Sequence, residues 1–214
     1  MLVGCWIVAS GIASAVYAGL CSQKYGEITS PTTANSVKIE LSRGTDSSGN
    51  LGTIDQGAAN EAAANWNGAC SGSAIPQITA DQNATGDWAV DVTFWPGKND
   101  GAPGKPTDCV DVHSTCGCAK ASFSGGKLLS VQIHLFETQG NGTSCAGSYS
   151  NVLTHEMGHG LGLQDETDPA CDGHIMGSVT GNIESEECQE IEKNWDRDPH
   201  EGPDGPGGDG PCVV

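Results

Sequence analysis

The residues most able to do chemistry lie in one stretch, HEMGHGLGLQD, at positions 155–165. His155 and His159 are four residues apart, so in a helix both imidazoles project from one face and can bind a single zinc ion. Glu156 lies beside the first histidine and can take a proton from a water molecule on that metal as the water attacks a carbonyl. This spacing predicts a hydrolytic metal site.

A zinc site that catalyses hydrolysis needs a third protein ligand and an open position for water. Gly162 has no side chain, so it can adopt a positive φ and turn the backbone out of the helix. Asp165 follows soon after, and a carboxylate oxygen binds zinc at about the same distance as an imidazole nitrogen. We therefore predict that Asp165 is the third ligand. His174 is the alternative, although its distance from Gly162 favours a loop residue.

Coincidence explains this pattern poorly. At the His and Glu frequencies of this chain, HExxH arises by chance in roughly one such sequence in a hundred. Requiring Gly162 and a histidine or aspartate at position 165 lowers that figure to about one in ten thousand. The alternative, a helix with two ordinary surface histidines, is disfavoured accordingly.

The stretch at 155–165, followed by Met176 in GHIMGS at 173–178, resembles the metzincin metalloproteases, whose motif is HExxHxxGxx(H/D) with a downstream Met-turn. The aspartate in the last position is similar to that of the snapalysin-type bacterial enzymes. The order of elements over residues 36–195 also resembles matrixin- and astacin-like catalytic domains, although only residues 149–178 carry specific motifs.

The resemblance implies an α+β fold: a metzincin-like twisted mixed β-sheet packed on two helices, an active-site helix, a Met-turn and a C-terminal helix. It also implies an edge strand that pairs with an extended peptide, a place that the strand expected at 128–137 would take. The implied activity is that of a zinc endopeptidase acting on proteins or peptides, with Glu156 first as base and then as acid. Glu166 follows the third ligand as the glutamate of astacins does, with a solvated surface acid as the equal alternative, and no tyrosine closely follows Met176.

Apolar periodicity predicts the elements that must position these residues. Alternating apolar residues predict strands with one buried face, and apolar residues at helical spacing predict helices. The strands are expected at 36–41, 89–94 and 128–137, and the helices at 53–70, from Gly147 to Gly160 and at 185–195. Pro96 should end the second strand, and Thr53 or Asp55 can cap the first helix.

The ten cysteines indicate disulfides and an oxidising compartment. Only 5% of the residues are aromatic, so covalent links would compensate for a modest core. Cys116 and Cys118 are expected in disulfides rather than in a second metal site. Cys171 is expected to bridge to Cys145 or Cys188. The protein should therefore be secreted, either extracellular or periplasmic.

The ends of the chain differ in composition from its middle. Residues 1–18 are predicted to be a signal peptide because the apolar run carries no charge and ends in small residues; an uncleaved membrane anchor is the alternative. Once the signal is cleaved, no stable membrane insertion is expected. An N-terminal segment at 19–35, a catalytic domain at 36–197 and a flexible Gly/Pro/Asp-rich tail at 198–214 complete the predicted organisation.

The formal net charge of −18 argues against a nucleic-acid partner, because binding phosphates requires a basic face. A second cation, structural Ca²⁺, has only weak candidates in Asp100 and Asp108, within a Gly/Pro-rich segment. We expect a monomer whose partner is a protein or peptide substrate.

The sequence is compatible with two other functions. One is a catalytically inactive metzincin-like module that binds proteins or a cell surface. The other is a disulfide-linked adhesion domain with an accidental motif. Glu156 favours the enzyme, because a binding module has no need of a general base.

Overall fold

A computed structural model describes much of the chain: residues 36–80, 88–98, 105–106, 109, 116–124, 127–166 and 169–195. The predicted signal peptide at 1–18, the segment at 19–35, the tail at 198–214, and Asp100 and Asp108 lie outside these residues. Among the residues described, none of the helices has both the length and the apolar character needed to cross a membrane.

The fold is α+β and is built on a mixed sheet of five strands in the order β2-β1-β3-β5-β4. β1, β2, β3 and β5 run parallel, whereas β4 is antiparallel to β5. The strands are β1 (Ser36–Arg43), β2 (Gln77–Thr79), β3 (Trp88–Lys98), β4 (Gly117–Ser124) and β5 (Lys127–Thr138). All three strands predicted from the sequence are present.

The prediction that strand 128–137 would form the edge of the sheet is wrong. β5 lies between β3 and β4, so among the strands that the structure describes the edge on this side belongs to β4 (Gly117–Ser124). The sequence gives little sign of β4, because its inward residues Ala119 and Ala121 are too small to produce a clear apolar alternation.

β3 is longer than its sequence suggests. It was expected to end at Pro96, yet it continues to Lys98. Its pairing with β5 shifts register between Trp95 and Lys98, where Gly97 has a φ of 63°. Because proline cannot donate to the ladder, the irregularity accommodates it without ending the strand.

Two helices pack on one face of the sheet, α1 (Gln56–Ala69) and α2 (Tyr149–Gly160). Asp55 caps α1, as predicted, by accepting a hydrogen bond from Ala58 N at 2.9 Å. The buried side of α1 consists of four alanines and Trp66, which permits a close approach to α2. Trp66 Nε1 donates to Thr154 O at 2.8 Å, which ties the two helices together.

A third helix, α3 (Ser185–Asn194), follows the site and is held by covalent and polar links. Its Cys188 is bonded to Cys70 at the end of α1, and Trp195 Nε1 donates to Leu161 O at 3.1 Å. Two further disulfides, Cys109–Cys118 and Cys116–Cys145, connect β4 to its surroundings.

The disulfide pattern confirms one expectation and corrects another. Cys116 and Cys118 are both in disulfides, as predicted, with different partners. Cys171 is also disulfide-bonded, but Cys145 and Cys188 pair elsewhere, so neither suggested partner is right. Proximity along the chain does not determine which thiols meet in the fold.

Candidate metal centre

Helix α2 places the two histidines of the motif side by side. Val152, Leu153 and Met157 face the core, which fixes the rotation of the helix. The rings of His155 and His159 then lie one turn apart, with centroids separated by 5.2 Å and planes at 90°. Both ring Nε2 atoms point toward the segment that follows the helix, because each faces Asp165.

The helix ends in the turn that the sequence predicts. Leu161 N donates to Met157 O at 2.9 Å, and Leu163 N donates to Gly158 O at 2.9 Å. Gly162 has a φ of 96°, a conformation that favours glycine. The chain therefore reverses within three residues and returns along the histidine face of the helix.

Asp165 lies beside both imidazoles. Its Oδ1 atom is 3.1 Å from His155 Nε2 and 3.3 Å from His159 Nε2. The Asp165 side chain is 64% exposed, whereas those of His155 and His159 are 12% and 6% exposed. The three atoms therefore meet where the cleft opens to solvent.

These separations suit a metal ion. Three ligands placed tetrahedrally at roughly 2.0–2.1 Å from zinc would be about 3.4 Å from one another. Asp165 Oδ1 is at nearly that distance from each imidazole nitrogen. His155, Glu156 and His159 also form a group that could hold a metal ion, with ligand atoms within 4.8 Å of one another.

Backbone carbonyls fix the orientation of both rings. His155 Nδ1 lies 2.6 Å from Ile175 O, and His159 Nδ1 lies 2.9 Å from Leu163 O. A carbonyl can only accept, so each Nδ1 carries the hydrogen. Each Nε2 is thereby left to present its lone pair to a cation, the arrangement typical of histidine ligands.

Electrostatics favours positive charge at the centre of this group. When a ring carries hydrogen on both nitrogens, its Nε2 donates to Asp165 Oδ1, and such hydrogen bonds from His155 and His159 hold the pKa of Asp165 well below its usual range. Burial lowers the pKa of His155, but its hydrogen bond to Asp165 and the nearby Glu156 outweigh that effect and raise it. Burial raises the pKa of Glu156. Two carboxylates that share two imidazoles are stabilised by a cation between them.

Glu156 forms the inner wall of a cleft beside the edge strand. Its side chain is almost fully buried, its Oε2 lies 3.9 Å from His159 Nε2, and it makes a hydrogen bond with the Ala119 backbone. The cleft has a volume of about 450 Å³. Its lining comes from β4, the start of α2 and the site residues: Cys109, Cys116, Gly117, Cys118, Ala119, Gln139, Ser148, Val152, His155, Glu156, His159, Asp165 and Val179.

Met176 packs against the helix and the turn that carry the candidate ligands. It is 1% exposed, and a Cβ placed on Gly158 would lie 2.2 Å from its sulfur, so the side chain contacts the helix between the two histidines. Its carbonyl accepts from Glu166 N at 2.9 Å, next to Asp165. The segment at 175–176 therefore touches both His155 and the turn that carries Asp165.

Three further polar residues are not among the ligands. His174 lies with its Nδ1 3.9 Å from Glu187 Oε2 and does not belong to the group around His155. His134 accepts a hydrogen bond from Trp95 Nε1 at 3.1 Å, on the other side of the sheet. Glu166 is buried.

Sequence reasoning missed the role of Glu187. Its side chain is fully buried and accepts a hydrogen bond from Met176 N at 3.2 Å. The available signal was the spacing of Glu184 and Glu187, which is that of a capping box. That signal reveals the helix cap but not the contact with residue 176.

Protein-family models give no match to this chain, and curated proteins give none either.

Proposed function

We propose that the protein is a secreted zinc endopeptidase of metzincin type, with His155, His159 and Asp165 as metal ligands and Glu156 as general base. The observation that carries this proposal is the position of Asp165 Oδ1, within 3.3 Å of both imidazole nitrogens. Two nitrogen ligands and one oxygen ligand form a donor set that zinc accepts in catalytic sites.

A bound Zn²⁺ would polarise a carbonyl oxygen and lower the pKa of a water molecule. The protein's own contribution is the placement of Glu156. Its carboxylate is nearly enclosed, and burial raises its pKa toward the range in which proton transfer at neutral pH is efficient. Glu156 can thus accept a proton during attack on a carbonyl and return it to a leaving amine.

The edge strand supports a peptide as the substrate. β4 is the last strand on its side of the sheet among the residues described, and Gly117, Cys118 and Ala119 line the cleft. An extended peptide can add to such an edge through backbone hydrogen bonds, which suits any sequence in an extended conformation. The contact between Ala119 and Glu156 would set the register of that peptide relative to the base.

The disulfides support the proposed location. Three disulfides join described cysteines, a pattern that fits an extracellular protein. Cys116–Cys145 links the start of β4 to the segment just before α2, so both walls of the cleft are covalently joined. This link would keep the cleft open to the same width during turnover.

Cleavage of unfolded casein by the parent protein and by Glu156→Gln tests this proposal. We expect the variant to retain its zinc but to lose roughly 10²–10⁴-fold in kcat/KM, because the base is gone while the ligands remain. Glu61→Gln is the matched control, since it removes an exposed carboxylate from α1 and should cleave like the parent.

Activity unchanged in Glu156→Gln would contradict the assignment of the base. Zinc in a parent protein that cleaves nothing would favour the alternative, a catalytically inactive protein-binding module. A parent protein without metal would contradict the whole proposal.

A further inference from the structure

Glu187 is an unusual residue to find fully buried, because taking a carboxylate out of water carries a large free-energy penalty unless it is well paired. Its Oε2 accepts from Glu184 N at 2.6 Å, a bond that belongs to the capping box of α3. Its Oε1 accepts from Met176 N at 3.2 Å, a bond that the helix itself does not require.

The Met176 N–H belongs to the same peptide unit as the Ile175 carbonyl. That carbonyl accepts the hydrogen bond of 2.6 Å from His155 Nδ1. One planar peptide group therefore has the imidazole of His155 at its oxygen and the carboxylate of Glu187 at its N–H. Ile175, Met176 and Glu187 are all buried, so water does not compete for these bonds.

Hydrogen bonds in such a chain polarise one another. A carboxylate that accepts from a peptide N–H draws electron density toward the peptide oxygen and makes that oxygen a stronger acceptor. A stronger acceptor at Nδ1 makes Nε2 of the same imidazole a more basic ligand. A carboxylate that contacts a ligand histidine directly raises the basicity of that ligand. In this protein a peptide group lies between the carboxylate of Glu187 and the imidazole of His155.

We propose that Glu187 is a positioning residue that orients His155 and strengthens it as a metal ligand through the 175–176 peptide. This inference rests on the metal site of the proposed function. It distinguishes the two histidines, because His159 donates to the Leu163 carbonyl, which belongs to a different peptide.

The test compares Glu187→Gln with Glu184→Gln. Both variants remove one carboxylate from the same capping box, but only Glu187 contacts the 175–176 peptide. An amide at 187 cannot accept at both ends, so one backbone N–H loses its partner. The disulfide of the neighbouring Cys188 to Cys70 holds α3 in place in either variant.

Two measurements are made on each protein. The first is the zinc dissociation constant, obtained by competition with a chromogenic chelator. The second is the proton chemical shift of the His155 Nδ1–H in the metal-free protein, with the His159 Nδ1–H as internal reference. We expect Glu187→Gln to lose roughly 10- to 100-fold in zinc affinity and to shift the His155 resonance alone. Glu184→Gln should resemble the parent in both.

Equal losses of affinity in the two variants would show that Glu187 acts only as a helix cap, and would overturn the inference. So would a weaker affinity without a change at His155, because that result indicates general loosening. If Glu187→Gln does not fold, Glu187→Asp replaces it; this variant keeps the charge at a longer distance and should give a smaller change of the same kind. A parent protein that binds no zinc contradicts the proposed function. A parent protein that binds zinc, with Glu187→Gln binding it as tightly, contradicts this inference alone.

Discussion

The two faces of the sheet differ in the burial and polarity of their side chains. On the face covered by α1 and α2, the strand residues are completely buried; they include Val37, Ile39, Val90, Val92, Ile133 and Leu135. On the other face, neighbouring strands present polar groups to a shallow groove lined by Glu40, Ser42, Asp91, Thr93, Gln132 and His134, with Leu41.

The difference indicates where the molecule is intolerant of change. Packing on the helical face fixes the rotation of α2 and with it the direction of His155 and His159. Substitutions on this face are therefore expected to displace the two histidines. The outer face even allows two acids to be paired across neighbouring strands, Glu40 with Asp91. We therefore expect large effects from changes on the helical side and small effects, some of them stabilising, on the outer face.

The largest effect should come from removing the Cys70–Cys188 disulfide, which joins α1 to α3 across a separation of 118 residues. Loss of a loop constraint of this size is expected to lower the free energy of unfolding by about 5 kcal/mol. Urea denaturation of the parent and of the double variant Cys70→Ala/Cys188→Ala measures the change. A loss below about 1 kcal/mol would show that packing alone holds α3 on the helical side.

Gly158→Ala should have the next largest effect. The added Cβ would lie 2.2 Å from Met176 Sδ, so Met176 must move and disturb its contacts beneath α2. We expect a loss of roughly 1–3 kcal/mol, measured by urea denaturation.

Gly68→Ala is the matched control for Gly158→Ala. It lies in α1, where nothing is within 4 Å of the added Cβ, so it should gain up to about 1 kcal/mol from helix propensity. A stable Gly158→Ala protein would mean that Met176 does not pack against the helix as described.

The sequence predicts those features of the fold and the site that depend on residues close together in the chain. The turn at Gly162 and the pairing of His155 with His159 follow from local backbone geometry, and the structure shows both. The buried strands were predictable because Val and Ile alternate over several residues. Such patterns require no knowledge of what lies across the fold.

The features that were missed depend on contacts distant in sequence. β4 carries residues too small to show alternation, and it is a strand because β5 pairs with it. Likewise, nothing local connects Glu187 to Met176, eleven residues earlier. The continuation of β3 beyond Pro96 depends on its pairing with β5.

Asp91→Asn should have the smallest effect and the opposite sign. Burial, together with the charge of Glu40, raises the pKa of Asp91 in the folded protein. A carboxyl whose pKa is raised by folding destabilises the protein once the pH exceeds its unfolded pKa. Because Asp91 is largely exposed, solvent screening limits the gain from the amide to roughly 0.5 kcal/mol at most at pH 7, and the gain should vanish below about pH 4.

Asp46→Asn is the control of opposite sign. Hydrogen bonds from Asn50 and Ser48 lower the pKa of Asp46 in its exposed turn. Its contribution to stability is present above the unfolded pKa and is lost as the pH falls through the folded pKa. Asp46→Asn should therefore destabilise the protein at pH 7. Unfolding curves of Asp91→Asn and Asp46→Asn are compared at pH 7 and pH 3.5. A change of stability in the same direction for both variants at pH 7 would contradict this account.

The most direct test of the central claim is the zinc content of the purified parent, Asp165→Ala and His174→Ala proteins after dialysis against a weak chelator. We predict one zinc per chain in the parent and in His174→Ala, and loss of the metal from Asp165→Ala, because the three-ligand set is broken. Retention of zinc by Asp165→Ala, with loss from His174→Ala, would contradict the assignment of the third ligand.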